Sequence, residues 1–137
     1  LVSYEKAVSH VTPGTYADAE NCIIAAPGKT CYFDFNDDAE EKQDNSLTVE
    51  FTYYDEGYQP VNLLYTSVDK SEADRANILN ASVSIKRNNT KKWITTVAEI
   101  TDIDLSNRGD FRTDFAFRGG QDSKFAVRDV KVLNVKK

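Results

Sequence analysis

Residues 47–53, Leu-Thr-Val-Glu-Phe-Thr-Tyr, alternate strictly between apolar and polar side chains. Leu47, Val49, Phe51 and Tyr53 fall on one side of an extended chain, and Thr48, Glu50, Thr52 and Tyr54 on the other. A period of two belongs to a strand buried on one face and wet on the other; a helix repeats near 3.6 and would scatter these residues around its surface. The same period returns at residues 82–86, with Val83 and Ile85 on one side. It appears again where Phe111, Thr113, Phe115 and Phe117 alternate with Arg112, Asp114, Ala116 and Arg118. Runs at 23–24, 31–35, 61–66, 93–100 and 125–135 have strand composition, the last with an irregularity near Asp129.

Turn residues separate these runs: Pro27-Gly28, Asp55-Glu56-Gly57, Asn88-Asn89-Thr90-Lys91 and Gly119-Gly120. Pro then Gly at the centre of a turn predicts type II geometry. It also predicts that Cys22 and Cys31 lie opposite each other on neighbouring strands. Residues 1–20 read as an irregular approach, 37–45 as a solvated acidic loop, and 69–80 as a short helical turn. About eight short strands with turns between them predict an all-β fold, an antiparallel β-sandwich that is jelly-roll-like. Its expected core holds Leu47, Val49, Phe51, Leu63, Tyr65, Val83, Ile85, Trp93, Phe111, Phe115, Phe117 and Val132.

A length of 137 residues predicts a single domain over 1–137 that can bury its own core. No stretch approaches the apolar run of about 18 residues that a membrane helix needs, so no membrane partner is expected. The net charge of -5 argues against a nucleic-acid partner, which requires a basic surface. The first ten residues lack a signal-peptide pattern, and the chain contains no Met. The expectation is a module excised from a larger protein. One histidine, His10, and no Gly-rich loop leading into a helix leave no nucleophilic triad or phosphate cradle, so the module is expected not to be an enzyme. Cys22, Cys31 and His10 are too few for a zinc site. The cysteines serve equally as a disulfide in an exported chain or as two small buried residues. Arg108-Gly109-Asp110 reads as a chance tripeptide, and the sequons at Asn80 and Asn88 matter where the host glycosylates.

Several spaced elements carry a family resemblance: Tyr32-Phe33-Asp34-Phe35-Asn36-Asp37-Asp38, Thr52-Tyr53-Tyr54-Asp55-Glu56-Gly57, Leu63-Leu64-Tyr65, Lys92-Trp93-Ile94-Thr95, Asp110-Phe111-Arg112 and Val127-Arg128-Asp129-Val130-Lys131-Val132. In this order they resemble the β-sandwich accessory modules of bacterial polysaccharide-degrading enzymes, the carbohydrate-binding modules. Asp18-Ala19-Glu20-Asn21 is similar to the opening of family 6 and family 35 modules. The resemblance implies a structural calcium shared by Glu20 and Asp129, and a core position for Trp93. It further implies a secreted, monomeric module that tethers a catalytic domain to a plant cell-wall polysaccharide, without naming the sugar. The alternative is a structural or protein-interaction spacer, in which polar strand faces are merely solvated.

Alternation nominates the ligand-binding residues. Tyr54, Lys86, Arg112, Asp114 and Arg118 are each outward neighbours of an expected core residue. They are expected to share one sandwich surface, with Tyr54 offering a flat ring to a sugar and the cations gripping carboxylates. This basic face makes a hemicellulose or pectin-like chain the expected ligand.

Overall fold

Cross-strand pairing divides the chain into two antiparallel sheets packed face to face. The computed structural model describes residues 4–6, 8–9, 12–34, 46–65, 67, 81–103 and 115–133. His10, the acidic loop at 37–45, the helical turn at 69–80, the tripeptide at 108–110 and Phe111 lie outside the described residues.

Eleven strands are present among them: β1 (Tyr4–Lys6), β2 (Val8–Ser9), β3 (Gly14–Tyr16), β4 (Ala19–Ala25), β5 (Thr30–Asp34), β6 (Leu47–Tyr54), β7 (Val61–Tyr65), β8 (Ala81–Ile85), β9 (Trp93–Ile100), β10 (Phe115–Arg118) and β11 (Phe125–Leu133). One sheet runs β3-β4-β11-β6-β9, with β1 added alongside β11; the other runs β2-β5-β10-β7-β8. From β4 to β7 the chain changes sheet at every step, and it does so again from β8 to β11, which is the jelly-roll-like pattern. The first three strands occupy a segment whose sequence reads as irregular. They are short and are held by pairing to β11, β5 and β4, not by any pattern of their own.

The core forms where the inward sets of both sheets meet. Val49, Phe51, Phe125, Val127 and Val132 come from one sheet; Phe33, Val61, Leu63, Phe115 and Phe117 come from the other. Phe51 and Phe117 meet across the seam at 4.8 Å between ring centroids, and Phe33 stacks on Phe115 at 5.8 Å. Each such ring contributes roughly 1.5–3 kcal/mol by burial. The expected core positions Leu47, Tyr65 and Ile85 are buried too, and Val83 packs against the cluster half-buried. Trp93 does not join it. In β9 the inward residues are Ile94, Ala98 and Ile100, so Trp93 falls on the outer face with Thr95, Val97 and Glu99.

The Pro27-Gly28 turn has the expected geometry: Lys29 N–H donates to the Ala26 carbonyl at 2.9 Å, and Gly28 has φ 73°. It does not close a hairpin. Type II geometry splays the flanking strands, and here β4 and β5 enter different sheets. Cys22 and Cys31 are therefore not cross-strand neighbours. Cys31 points into the core, whereas Cys22 is buried on the side of β4 opposite Ile23 and Ala25. Both are free thiols, and burial pushes both thiol pKa values up.

One end of the sandwich is closed by polar groups. The Arg87 side chain is wholly buried. Its Nε donates to the Gln59 carbonyl at 2.7 Å, Nη1 to the Glu56 carbonyl and to Ser123 Oγ, and Nη2 to Asp122 Oδ1 at 2.7 Å. Asp55, also buried, accepts from the backbone N–H groups of Asn88 and Thr90 and from the Thr90 hydroxyl. Burial alone pushes the Asp55 carboxyl pKa up, but these hydrogen bonds outweigh it and the net shift is downward. Gly57 sits at φ 99° in this network, where a β-carbon would collide with the Ser123 hydroxyl.

Candidate functional site

The outer face of the six-stranded sheet is assembled from cross-strand pairs. β6 and β9 place Tyr54 opposite Trp93, Thr52 opposite Thr95, and Glu50 opposite Val97. β11 places Arg128 opposite Thr52 and Lys131 opposite Glu50. On the far edge, β3 and β4 form a hairpin whose central residues Ala17 and Asp18 have φ 46° and 63°, the pattern of a type I′ turn. This hairpin carries Tyr16 to the face.

Three rings then form a row. Tyr16 and Tyr54 lie 5.7 Å apart between centroids, and Tyr54 and Trp93 5.3 Å apart, both edge to face. All three are half-buried. The Tyr16 hydroxyl donates to Glu56 Oε2 at 2.7 Å, and Lys91 Nζ lies 3.7 Å from Glu56 Oε1. Burial first, then this hydrogen bond and the Glu56 charge, push the Tyr16 pKa up to about 12, so the hydroxyl keeps its proton. The Arg128 guanidinium carbon stands 5.6 Å from the centre of the Trp93 ring. Thr52 and Thr95 share a 2.7 Å hydrogen bond, and Lys131 pairs with Glu50 at 3.1 Å. Ring faces, hydroxyls and one stacked guanidinium are groups that adsorb a ligand through apolar contact and hydrogen bonds.

The residues nominated from sequence are not gathered on one surface. Tyr54 belongs to this face. Arg118 is exposed on β10 of the five-stranded sheet, where its Nε donates to Thr30 Oγ1 at 3.1 Å. Lys86 is exposed just after β8 of that same sheet. Arg112 and Asp114 lie outside the described residues. Alternation tells which side of its own sheet a residue takes; it does not tell which sheet a strand joins, and β6 joins one while β8 and β10 join the other.

Glu20 and Asp129 are both exposed. Asp129 lies at φ 53° in the register slip of β11, with its Oδ2 3.2 Å from Arg128 Nε. Among the described residues no group of three or more His, Cys, Asp or Glu is placed to hold a metal ion.

The residues nominated from sequence leave out two of the three rings, Trp93 and Tyr16, and the cation beside them, Arg128. Trp93 was legible from the company it keeps, since Thr95 and Glu99 share its parity. Tyr16 depended on a hairpin with no alternating signal. Arg128 depended on the order of strands in the sheet.

No protein-family model matches the chain, and no curated protein is significantly similar to it. Among solved structures, the K1 cleaved adhesin domain of Lys-gingipain from Porphyromonas gingivalis W83 is similar, with a TM-score of 0.47 and 11% sequence identity. The likeness covers 99% of this chain and 91% of that one. The functional reading rests on the residues of this chain itself.

Proposed function

We propose that this β-sandwich is a non-catalytic module that binds a polysaccharide along the outer face of its six-stranded sheet. The observation that carries the reading is the row Tyr16–Tyr54–Trp93, three half-buried rings, two on the adjacent strands β6 and β9 and the third brought beside them from the β3–β4 hairpin. Pyranose rings have apolar faces that pack on aromatic rings, and their hydroxyls find partners in Thr52, Thr95 and Glu56 at the margins. In the exported protein the module holds an attached enzyme against hemicellulose or pectin of the plant cell wall. Affinity is modest, with a Kd on the order of micromolar to millimolar, because a shallow face desolvates few contacts.

Trp93 is the sole tryptophan, so its fluorescence reports directly on the face. Titration with a panel of soluble plant polysaccharides is expected to change Trp93 emission saturably, and Tyr54→Ala is expected to weaken the effect at least about tenfold. A panel that leaves the emission unchanged and shows no retardation in affinity gels refutes the carbohydrate reading and favours a protein-docking spacer.

A further inference from the structure

We propose that the polysaccharide bound on this face is acidic and that Arg128 recognises its carboxylates. The inference rests on the carbohydrate reading and adds to it the chemical class of the ligand. Arg128, like the nearby lysines, has an ion-pair partner, Asp129 Oδ2 at 3.2 Å from Nε, but the pairing takes only that one edge of its guanidinium. Lys131 is paired with Glu50 at 3.1 Å, and Lys91 stands 3.7 Å from Glu56. Arg128 is fixed differently. Its Nε edge faces Asp129 Oδ2 at 3.2 Å, and its guanidinium carbon lies 5.6 Å from the Trp93 ring centre. No acceptor among the described residues engages Nη1 or Nη2, and the side chain is 36% exposed.

The backbone is shaped for this arrangement. The β6–β11 pairing holds register through Arg128, opposite Thr52, and resumes at Lys131, opposite Glu50. Asp129, in the gap, takes the left-handed conformation at φ 53°, which non-glycine residues seldom adopt. The slip leaves the Asp129 carboxylate against the Nε edge of its neighbour. A guanidinium held at one edge and stacked on a ring loses less freedom when its two Nη groups close on a carboxylate in a fork. A uronate lying along the ring row brings its carboxylate to that fork, while its ring packs as a neutral sugar would. A neutral chain uses the rings alone.

The test compares polygalacturonate and glucuronoxylan with the carboxyl-reduced form of each, by Trp93 fluorescence and calorimetry at low and high salt. The wild-type protein is expected to bind at least one acidic chain about tenfold or more tightly than its reduced counterpart, with a gap that narrows as salt screens the charge. Arg128→Gln is expected to bring that ratio close to one. Arg128→Lys keeps the charge without the fork and is expected to fall between; it also serves as the informative variant where Gln disturbs the fold. Equal wild-type affinity for acidic and reduced chains, or a ratio that survives Arg128→Gln, overturns the role of Arg128 and leaves glycan binding standing. Failure of every chain, acidic, reduced or neutral, removes the carbohydrate reading itself and this inference with it.

Discussion

The sharpest test of how this sandwich is held together is Arg87→Met. The substitution keeps much of the buried volume and removes every donor. Five contacts disappear, to Gln59 O, Glu56 O, Ser123 Oγ, Asp122 Oδ1 and, at 3.5 Å, Lys124 O. They are not equally exposed to the loss. The Glu56 carbonyl retains a hydrogen bond from Ser123 Oγ at 2.9 Å, and Asp122 retains the backbone N–H groups of Tyr58 and Gln59. The Gln59 carbonyl has no such second partner among the described residues. Asp122 is partly solvated, so water compensates some of its lost pairing, whereas Arg87 itself is wholly enclosed. Removing one member of a buried charged network commonly costs about 3–5 kcal/mol, and the surviving partners place this case near the lower end, about 3 kcal/mol. For a domain of this size that lowers Tm by about 10 °C. Urea and thermal unfolding followed by circular dichroism measure it. The loops at 55–60 and 119–124 can also detach while the core stays folded, so amide exchange of Tyr58 and Gln59 is the second readout. A loss under about 1 kcal/mol, the range of ordinary surface changes, together with unchanged protection at those amides, refutes the keystone role.

Acid should loosen the same end. Asp122 is held down to about 2, chiefly by the Tyr58 backbone N–H, with Gln59 N–H and Arg87 assisting, against an ordinary value of 3.8. A depressed folded pKa stabilises above the unfolded value, and that contribution is lost as pH falls from about 4 towards 2. Asp122→Asn should flatten the stability profile across that window in pH-dependent melts; an unchanged slope contradicts the assignment. Phe115→Ala should cost about 3–5 kcal/mol in urea unfolding, since Phe115 is fully buried against Phe33 and Phe117, and a loss below about 1 kcal/mol would place its ring outside the core. Denatured, non-reduced protein should titrate two thiols, because Cys22 and Cys31 face opposite sides of different sheets; one disulfide and no thiol would break the strand assignment.

Much of the fold is legible in the sequence because burial imposes a period. β6 shows it without exception, and the inward set Leu47, Val49, Phe51 and Tyr53 is buried as the pattern requires. The type II turn is legible because Gly28 supplies the positive φ that position needs. What a period of two cannot carry is sheet membership. The Cys22–Cys31 pairing and the single surface for Tyr54, Lys86 and Arg118 both failed at that step. Adjacent strands in sequence were read as adjacent in space, while this chain repeatedly crosses between sheets. Strands too short to show alternation are invisible for a related reason: β1, β2 and β3 have two or three residues each and are defined by their partners.

The ring row poses a question of cause. An edge-to-face pair on neighbouring strands is itself a stabilising device, worth about 0.5–1.5 kcal/mol beyond area, so Tyr54 opposite Trp93 needs no ligand to explain it. Stability explains the rest of the row less well. Tyr16 is brought over from a separate hairpin by a turn with two residues in the left-handed region, then tied through its hydroxyl to Glu56. Arg128 spends its exposed guanidinium on Trp93 beside a slipped register and a third left-handed residue, Asp129. Each left-handed non-glycine residue costs of order 1 kcal/mol, comparable to or larger than the surface contact it permits. But Asn21, Asn89 and Lys91 are left-handed as well, so such residues are a general feature of this chain's turns and bulges. The ring row and the open Nη groups of Arg128, not backbone strain, are what point to a ligand.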